Sequence, residues 1–248
     1  MRGRGHIPDV ADERDWPIAS LVGDVHVPAM VDLSKHVDHV RDQGATSSCV
    51  AQAFARAIHV RSGVEGISIP FPSALQIYAL ARREELPLID QGSRPRAAAS
   101  AMRELGVSAE TRWPFEEGRV NDLPPWDVLQ HSGDALVTGY YRIGGDADER
   151  CRLVRQALAA GYPVPFALQV DQAFEDYSGG GVIDRFSGAN LGGHMTALVG
   201  YGPGWFRGIN SWGTDWGDGG FFRISDARIG EPTCTDFYAL TVAPKGVS

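Results

Sequence analysis

Apolar positions in the first half of the chain recur at helical spacing, whereas those in the second half fall into short runs parted by glycines. Behind Ser47 and Ser48, both N-cap candidates, Val50, Ala51, Ala53, Phe54, Ala57 and Ile58 predict a helix that starts at Cys49 and runs to about Arg61, ended by Ser62-Gly63. Further helices are predicted over Ser73–Arg83 and over Arg96–Leu105, the latter ended by Gly106. Trp113-Pro-Phe and Leu123-Pro-Pro-Trp126 form a loop-rich bridge to the second half. There, Ala135–Ile143 and Val164–Val170 read as strands around a helix over Asp148–Ala160. Short strands are expected over Gly179–Ile183, Met195–Tyr201, Trp205–Ser211 and Gly220–Ile224. Residues 1–30 read as an extended arm, and Val31–Gly44 as a short strand or coil leading to a turn. The pattern predicts an α+β fold in two lobes: a mainly helical lobe over 31–130 and a mainly β lobe over 131–248, integrated as one domain.

Composition narrows the partners. With 43% hydrophobic residues the chain is long enough to bury a sizeable core. A net charge of −8 argues against nucleic acid or an anionic membrane, both of which need a basic surface. No apolar run approaches the ~20 residues of a membrane span, and no apolar stretch follows the basic N-terminus as in a secretory signal. Cys49, Cys151 and Cys234 cannot build a disulfide framework, so a reducing compartment such as the cytoplasm is expected, with leaderless secretion as the alternative. No Cys/His pair has zinc-ligand spacing, so no metal or other cofactor is expected, and a monomer is the favoured state.

Three constellations carry candidate chemistry. Cys49 in the first turn of a helix would meet unpaired backbone N–H groups and the positive end of the helix dipole, both of which favour thiolate. Gln43, six residues upstream, is placed to join the Cys49 N–H as an oxyanion hole. A cysteine in an alanine-rich helix is nevertheless more often a core residue than a nucleophile. His194 opens an apolar strand behind Gly192-Gly193, and a strand-edge histidine is ordinarily structural. Asn210, in the loop Asn210-Ser-Trp212-Gly-Thr-Asp-Trp216-Gly, could accept a hydrogen bond from one ring nitrogen of His194 and so fix its tautomer. That loop reads equally as a turn plugged by aromatics.

Taken in order, Gln43-Gly44, Ser48-Cys49, Gly193-His194 and Asn210-Ser211-Trp212-Gly213 with Trp216-Gly217 resemble the papain-like cysteine peptidases. The likeness spans roughly residues 31–240. It implies an α-helical lobe carrying Cys49, a β-barrel-like lobe carrying His194 and Asn210, and a substrate cleft between them. It implies hydrolysis of peptide or protein substrates through a thioester acyl-enzyme, with Cys49 as nucleophile, His194 as base, Asn210 orienting it and Gln43 in the oxyanion hole. Alternatives are a ligase or transamidase on the same residues and a non-catalytic peptide-binding homologue. By the same likeness Gly92, Ser93, Gly193 and Trp212 would contact substrate. Ala167 and Met195 would wall the S2 pocket, which would then prefer an apolar residue at P2. The remaining histidines, His6 among them, match no motif and read as surface or packing residues. Val50, Thr46 and Ser47 depart from the family pattern, and its disulfide positions are empty apart from an unpartnered Cys234, as in bacterial members with a short arm. The arm is read either as structure or as a segment crossing the cleft.

Overall fold

A computed structural model of the chain describes residues 2–10, 12–13 and 15–244. In chain order the elements are β1 (Trp16–Pro17), α1 (Ala19–Val22), β2 (Val31–Asp32), α2 (Cys49–Glu65), α3 (Ala74–Ala81), α4 (Pro95–Leu105), α5 (Trp126–Gln130) and β3 (Ala135–Ile143). They continue with α6 (Ala147–Ala159), β4 (Val164–Gln169), α7 (Gln172–Glu175), β5 (Gly193–Gly202), β6 (Trp205–Ile209), β7 (Phe221–Ser225), α8 (Asp226–Ile229), β8 (Cys234–Thr235) and β9 (Phe237–Pro244).

The fold is the α+β, two-lobe arrangement expected. The larger sheet has the antiparallel order β7-β6-β5-β4-β8, with β2 added along β5. It ends at β7 and β8, so among the described residues it is an open sheet rather than a closed barrel. A smaller sheet, β1-β3-β9, was only half foreseen. The apolar segment Phe237–Pro244 pairs with β3 along the whole of that strand. No helix among the described residues is long and apolar enough to cross a membrane.

Two apolar cores result. One gathers α3, α4, Trp113 and most of α2 with Val137, Tyr238, Leu240 and Met195; the other gathers α6, the larger sheet and Phe174, Trp212 and Trp216. Helix α2 is buried on nearly all sides and reaches both, since Cys49 to Ile58 pack in the first core and Val60 in the second. It runs a turn past Arg61 because Gly63 does not stop it. A Cβ at Gly63 would crowd the His36 ring at 3.0 Å, so the glycine serves a close packing contact, and the helix ends on left-handed Gly66. Ser48 precedes α2 but caps no backbone N–H; its hydroxyl meets that of Thr46 at 2.8 Å. Gly179–Ile183 is no strand beyond one bridge from Ile183 to Ile224, because Gly179 and Gly180 adopt φ of 93° and 78°, outside extended backbone.

One buried ion pair sets the aromatic bed beneath the candidate site. Asp171 and Arg228 are both fully buried and meet at 3.1 Å. Asp171 also caps α7 by accepting the Phe174 N–H at 3.0 Å, and it takes the Ser187 N–H at 3.0 Å. Phe174, thereby fixed, packs edge-on against Trp212 (5.6 Å) and against Trp216 (5.0 Å). Arg228→Met should leave the Asp171 charge buried without its cation and cost about 3–5 kcal/mol. Denaturant unfolding should show a clearly lower midpoint; an unchanged midpoint would contradict this account of the pair.

Candidate active site

The turn before α2 is built from its own side chains. Thr46 donates its hydroxyl to the Gln43 carbonyl at 2.8 Å, and the Gln43 side-chain amide donates to the Thr46 carbonyl at 2.7 Å. These bonds hold the turn at the position where the family pattern has a cysteine. Gln43 is also tied to the second half of the chain. Its N–H donates to the Ser211 carbonyl (2.9 Å), and its side-chain oxygen accepts the Ser211 hydroxyl (2.6 Å). Ser47 is fixed by its N–H, which donates to the Asp90 carboxylate at 2.9 Å.

Because no side chain caps α2, its first N–H groups remain for the Cys49 sulfur. Burial pushes the thiol up to about 11, while N–H groups of Met195, Gly5, Val50 and Cys49 itself pull the other way. The Met195 contact places the sulfur against the start of β5, next to His194. There the His194 ring meets Asn210 Oδ1 through Nε2 at 2.7 Å and stacks on Trp212 at 4.5 Å, while its Nδ1 is buried with no hydrogen-bond partner. Asn210 Oδ1 is itself anchored by the Ser211 N–H at 2.8 Å. Burial pushes the imidazole down to about 4, opposed by the Asn210 contact and reinforced by Arg4 and His6. At neutral pH this closed site therefore holds a neutral thiol beside a neutral imidazole.

The source of that burial is the N-terminal arm, which crosses the site in extended form. The Gly3 N–H donates to the Gly44 carbonyl (2.9 Å) and the Trp212 indole donates to the Gly3 carbonyl (3.2 Å). The Gly5 N–H faces the Cys49 sulfur while the Gly5 carbonyl accepts the Ser93 N–H at 2.9 Å. The His6 N–H donates to the Gly193 carbonyl at 3.2 Å, and Ile7 returns to the Ser93 carbonyl at 3.1 Å, so the arm runs parallel to Gly92-Ser93. The fit is backbone on backbone. A Cβ at Gly5 would lie 2.0 Å from the Ser47 carbonyl oxygen, and one at Gly92 would lie 2.1 Å from the Gly5 carbonyl oxygen. Side chains around the glycines find aromatic or acidic partners: Arg2 over the Trp212 ring, Arg4 to Glu175, and His6 to Asp236. Farther on, Asp9 accepts the Tyr238 hydroxyl at 2.7 Å, and Asp15 pairs with Arg96 at 2.6 Å.

Comparison with known proteins bears directly on this geometry. The profile of the papain family cysteine proteases matches residues 27–236. The chain belongs to that family. It is 27% identical over 212 residues to an uncharacterised peptidase C1-like protein of Acanthamoeba polyphaga mimivirus, covering 80% of this chain and 68% of that one. It is 27% identical over 215 residues to papain of Carica papaya, covering 82% of this chain and 56% of that sequence. The structure of xylellain, a cysteine protease from Xylella fastidiosa, superposes with a TM-score of 0.82 at 28% identity, over 97% of this chain and 96% of that one.

For this papain-family chain the structure brings Cys49, His194, Asn210 and Gln43 to one place, and Gly92, Ser93, Gly193 and Trp212 all lie along the arm. Ala167 and Met195 are cross-strand partners, fully buried, and Met195 belongs to the first core. The small cavity beside the arm, about 170 Å³, is walled instead by Leu168, Gln169, Asn190, Thr233 and Thr235 with His6 and Pro8. Sequence reasoning passed over Arg4, His6, Glu175, Asp236 and Asp9. The available signal was the alternation of glycine with Arg2, Arg4 and His6, which is the period of a strand lying on one glycine face.

With burial pushing the thiol up to about 11, the sulfur is overwhelmingly protonated at pH 7. Gly5→Ala forces the arm off Ser47 without touching either core. It should raise the rate of Cys49 alkylation by iodoacetamide at pH 7 by about tenfold or more, as read by mass spectrometry. Equal rates would show that the arm does not shield the sulfur.

Proposed function

We propose that this chain is a cysteine endopeptidase that hydrolyses peptide bonds through a thioester acyl-enzyme and is held closed by its own N-terminal arm. The observation that carries the reading is the orientation of His194. Asn210 engages one ring nitrogen and leaves the other buried and unpartnered, one residue before Met195, whose N–H faces the Cys49 sulfur. Once the arm leaves, water re-enters, the penalty on both charged forms falls, and a thiolate beside an imidazolium becomes accessible.

The Cys49 thiolate then attacks the scissile carbonyl carbon. The carbonyl oxygen becomes an oxyanion received by the Cys49 N–H and the Gln43 side-chain amide. His194 gives its proton to the leaving amine as the C–N bond breaks, and then takes a proton from the water that cleaves the thioester. Asn210 keeps the ring in the tautomer these transfers need, and Trp212, stacked on that ring, keeps water from the Asn210 contact. Gly92, Ser93 and Gly193, which now hold the arm through backbone groups, would hold the substrate backbone. Cys49, Cys151 and Cys234 are free and buried, which fits action in a reducing compartment.

In the Gly5→Ala background, Cys49→Ala should abolish cleavage of a peptidyl amide reporter. Asn210→Ala should slow it by about 10–100-fold, because it removes orientation rather than a reacting group. Turnover that survives loss of the Cys49 sulfur would overturn the assignment, and transfer of the acyl group to an added amine in preference to water would turn it into a ligase.

A further inference from the structure

His6 does more than pass the cleft. Its side chain and that of Asp236 are only 4% and 1% exposed, and Nε2 meets Asp236 Oδ2 at 2.8 Å. The same oxygen accepts the Asp9 backbone N–H at 3.2 Å. The other oxygen, Oδ1, is held from behind by Arg142 at 2.9 Å. Asp236 is also the one described residue other than glycine with a positive φ, at 48°, which fixes the direction of its carboxylate. Two of the three donors to Oδ2, the His6 ring and the Asp9 N–H, belong to the arm; the third, the Thr235 hydroxyl, is a long contact at 3.5 Å. His6 bonds to Oδ2 and also lines the pocket walled by Leu168, Gln169, Gly193 and Thr235, so when the arm lifts that oxygen keeps only the long Thr235 contact, in a setting where an under-paired carboxylate oxygen is costly.

We propose that the Asp236 pocket selects a basic side chain in the substrate, at the residue preceding the one whose carbonyl is attacked, and that His6 is the stand-in for that side chain. The inference rests on the peptidase reading and sharpens it. The substrate class becomes peptides with arginine, lysine or histidine at P2, in place of the apolar P2 that Ala167 and Met195 implied. Arg142 does not oppose this. It is bound to the far oxygen and partly solvated, where it favours the ionised carboxylate while leaving Oδ2 for the incoming cation. Leu168 supplies an apolar wall along which a long basic side chain can lie, beside the backbone of Gly193. Asp9, which adds a carboxylate nearby in the closed form, leaves with the arm, whereas Asp15, next to the strand Trp16–Pro17, stays on Arg142.

The test uses the full chain with Gly5→Ala and a pair of dipeptidyl fluoromethyl ketones that differ only at P2, arginine against leucine. Labelling of Cys49 is followed by mass spectrometry, with iodoacetamide reporting access to the sulfur. The arginine reagent should react at least about tenfold faster, the worth of one charge-assisted hydrogen bond. Asp236→Asn, which suits a positive φ and preserves shape, should remove that difference. Equal or faster reaction of the leucine reagent would overturn the proposal. So would failure of both reagents where iodoacetamide still reacts. A second measurement does not depend on Gly5→Ala. In the otherwise unaltered chain, His6→Leu should loosen the arm and speed iodoacetamide labelling, whereas His6→Arg should not; an arm held as firmly by leucine would also overturn it. Neither reading uses turnover, so a protein that shows the arginine preference yet cleaves no amide would sink the peptidase assignment and leave the pocket standing.

Discussion

Ser211 is the joint on which the site turns. Its carbonyl and hydroxyl both engage Gln43, from the turn before α2, while its N–H holds Asn210 Oδ1 in place for the His194 ring. Three hydrogen bonds from one residue thus set the distance between a turn in the first half of the chain and a strand in the second. None is exposed to water, and the loss of any would leave a buried polar group unpaired. The Asp171–Arg228 pair works one layer farther out, because it seats Phe174 against Trp216 and against Trp212, on which His194 stacks. Positioning in this chain comes from short, saturated contacts rather than from a covalent staple.

The closed form has a clear electrostatic order. Around Cys49 the arm offers cationic or neutral side chains, Arg2, Arg4 and His6, and the protein answers with Trp212, Glu175 and Asp236. Beyond Pro8 the arm turns acidic, and Arg96 and Arg142 answer Asp15. Such pairs cost desolvation and return little net stability on their own, but they fix register, since a slip of one residue would set glycine or Ile7 opposite Glu175 and Asp236 and leave both carboxylates without their cationic partners. The neutral Cys49 and His194 follow from the same seating. Their ionisation is suppressed by burial beneath the arm that lies on top of them.

How much of this was legible in the sequence depended on how local the cause was. Helices α2 to α4 and strands β3 to β5 announced themselves through apolar periodicity, and the Asn210–Trp216 loop through residue types rarely spent without purpose. The continuation of α2 through Gly63 was hidden because the reason lies in His36, far along the chain. Strand β9 was missed because its partner β3 lies about a hundred residues upstream and only the pairing reveals it. His6 read as a bystander for the same reason. A histidine acquires meaning from its partner, and Asp236 stands 230 positions away. Gly179–Ile183 misled in the opposite sense, since β-branched residues beside glycines look like a strand until the backbone angles exclude one.

Helix α2 belongs to both cores at once, and this has a kinetic meaning. A cleft with Cys49 on a shared helix cannot gape by hinging one lobe from the other without bending that helix. Access must come from the arm, which remains tethered where Trp16–Pro17 joins the sheet edge at β3. A tethered segment acts at an effective concentration on the order of millimolar, so an arm of weak intrinsic affinity still outcompetes dilute peptides. The threshold for opening is then set by linker length and local abundance of competitor, and it does not change when the protein itself is diluted.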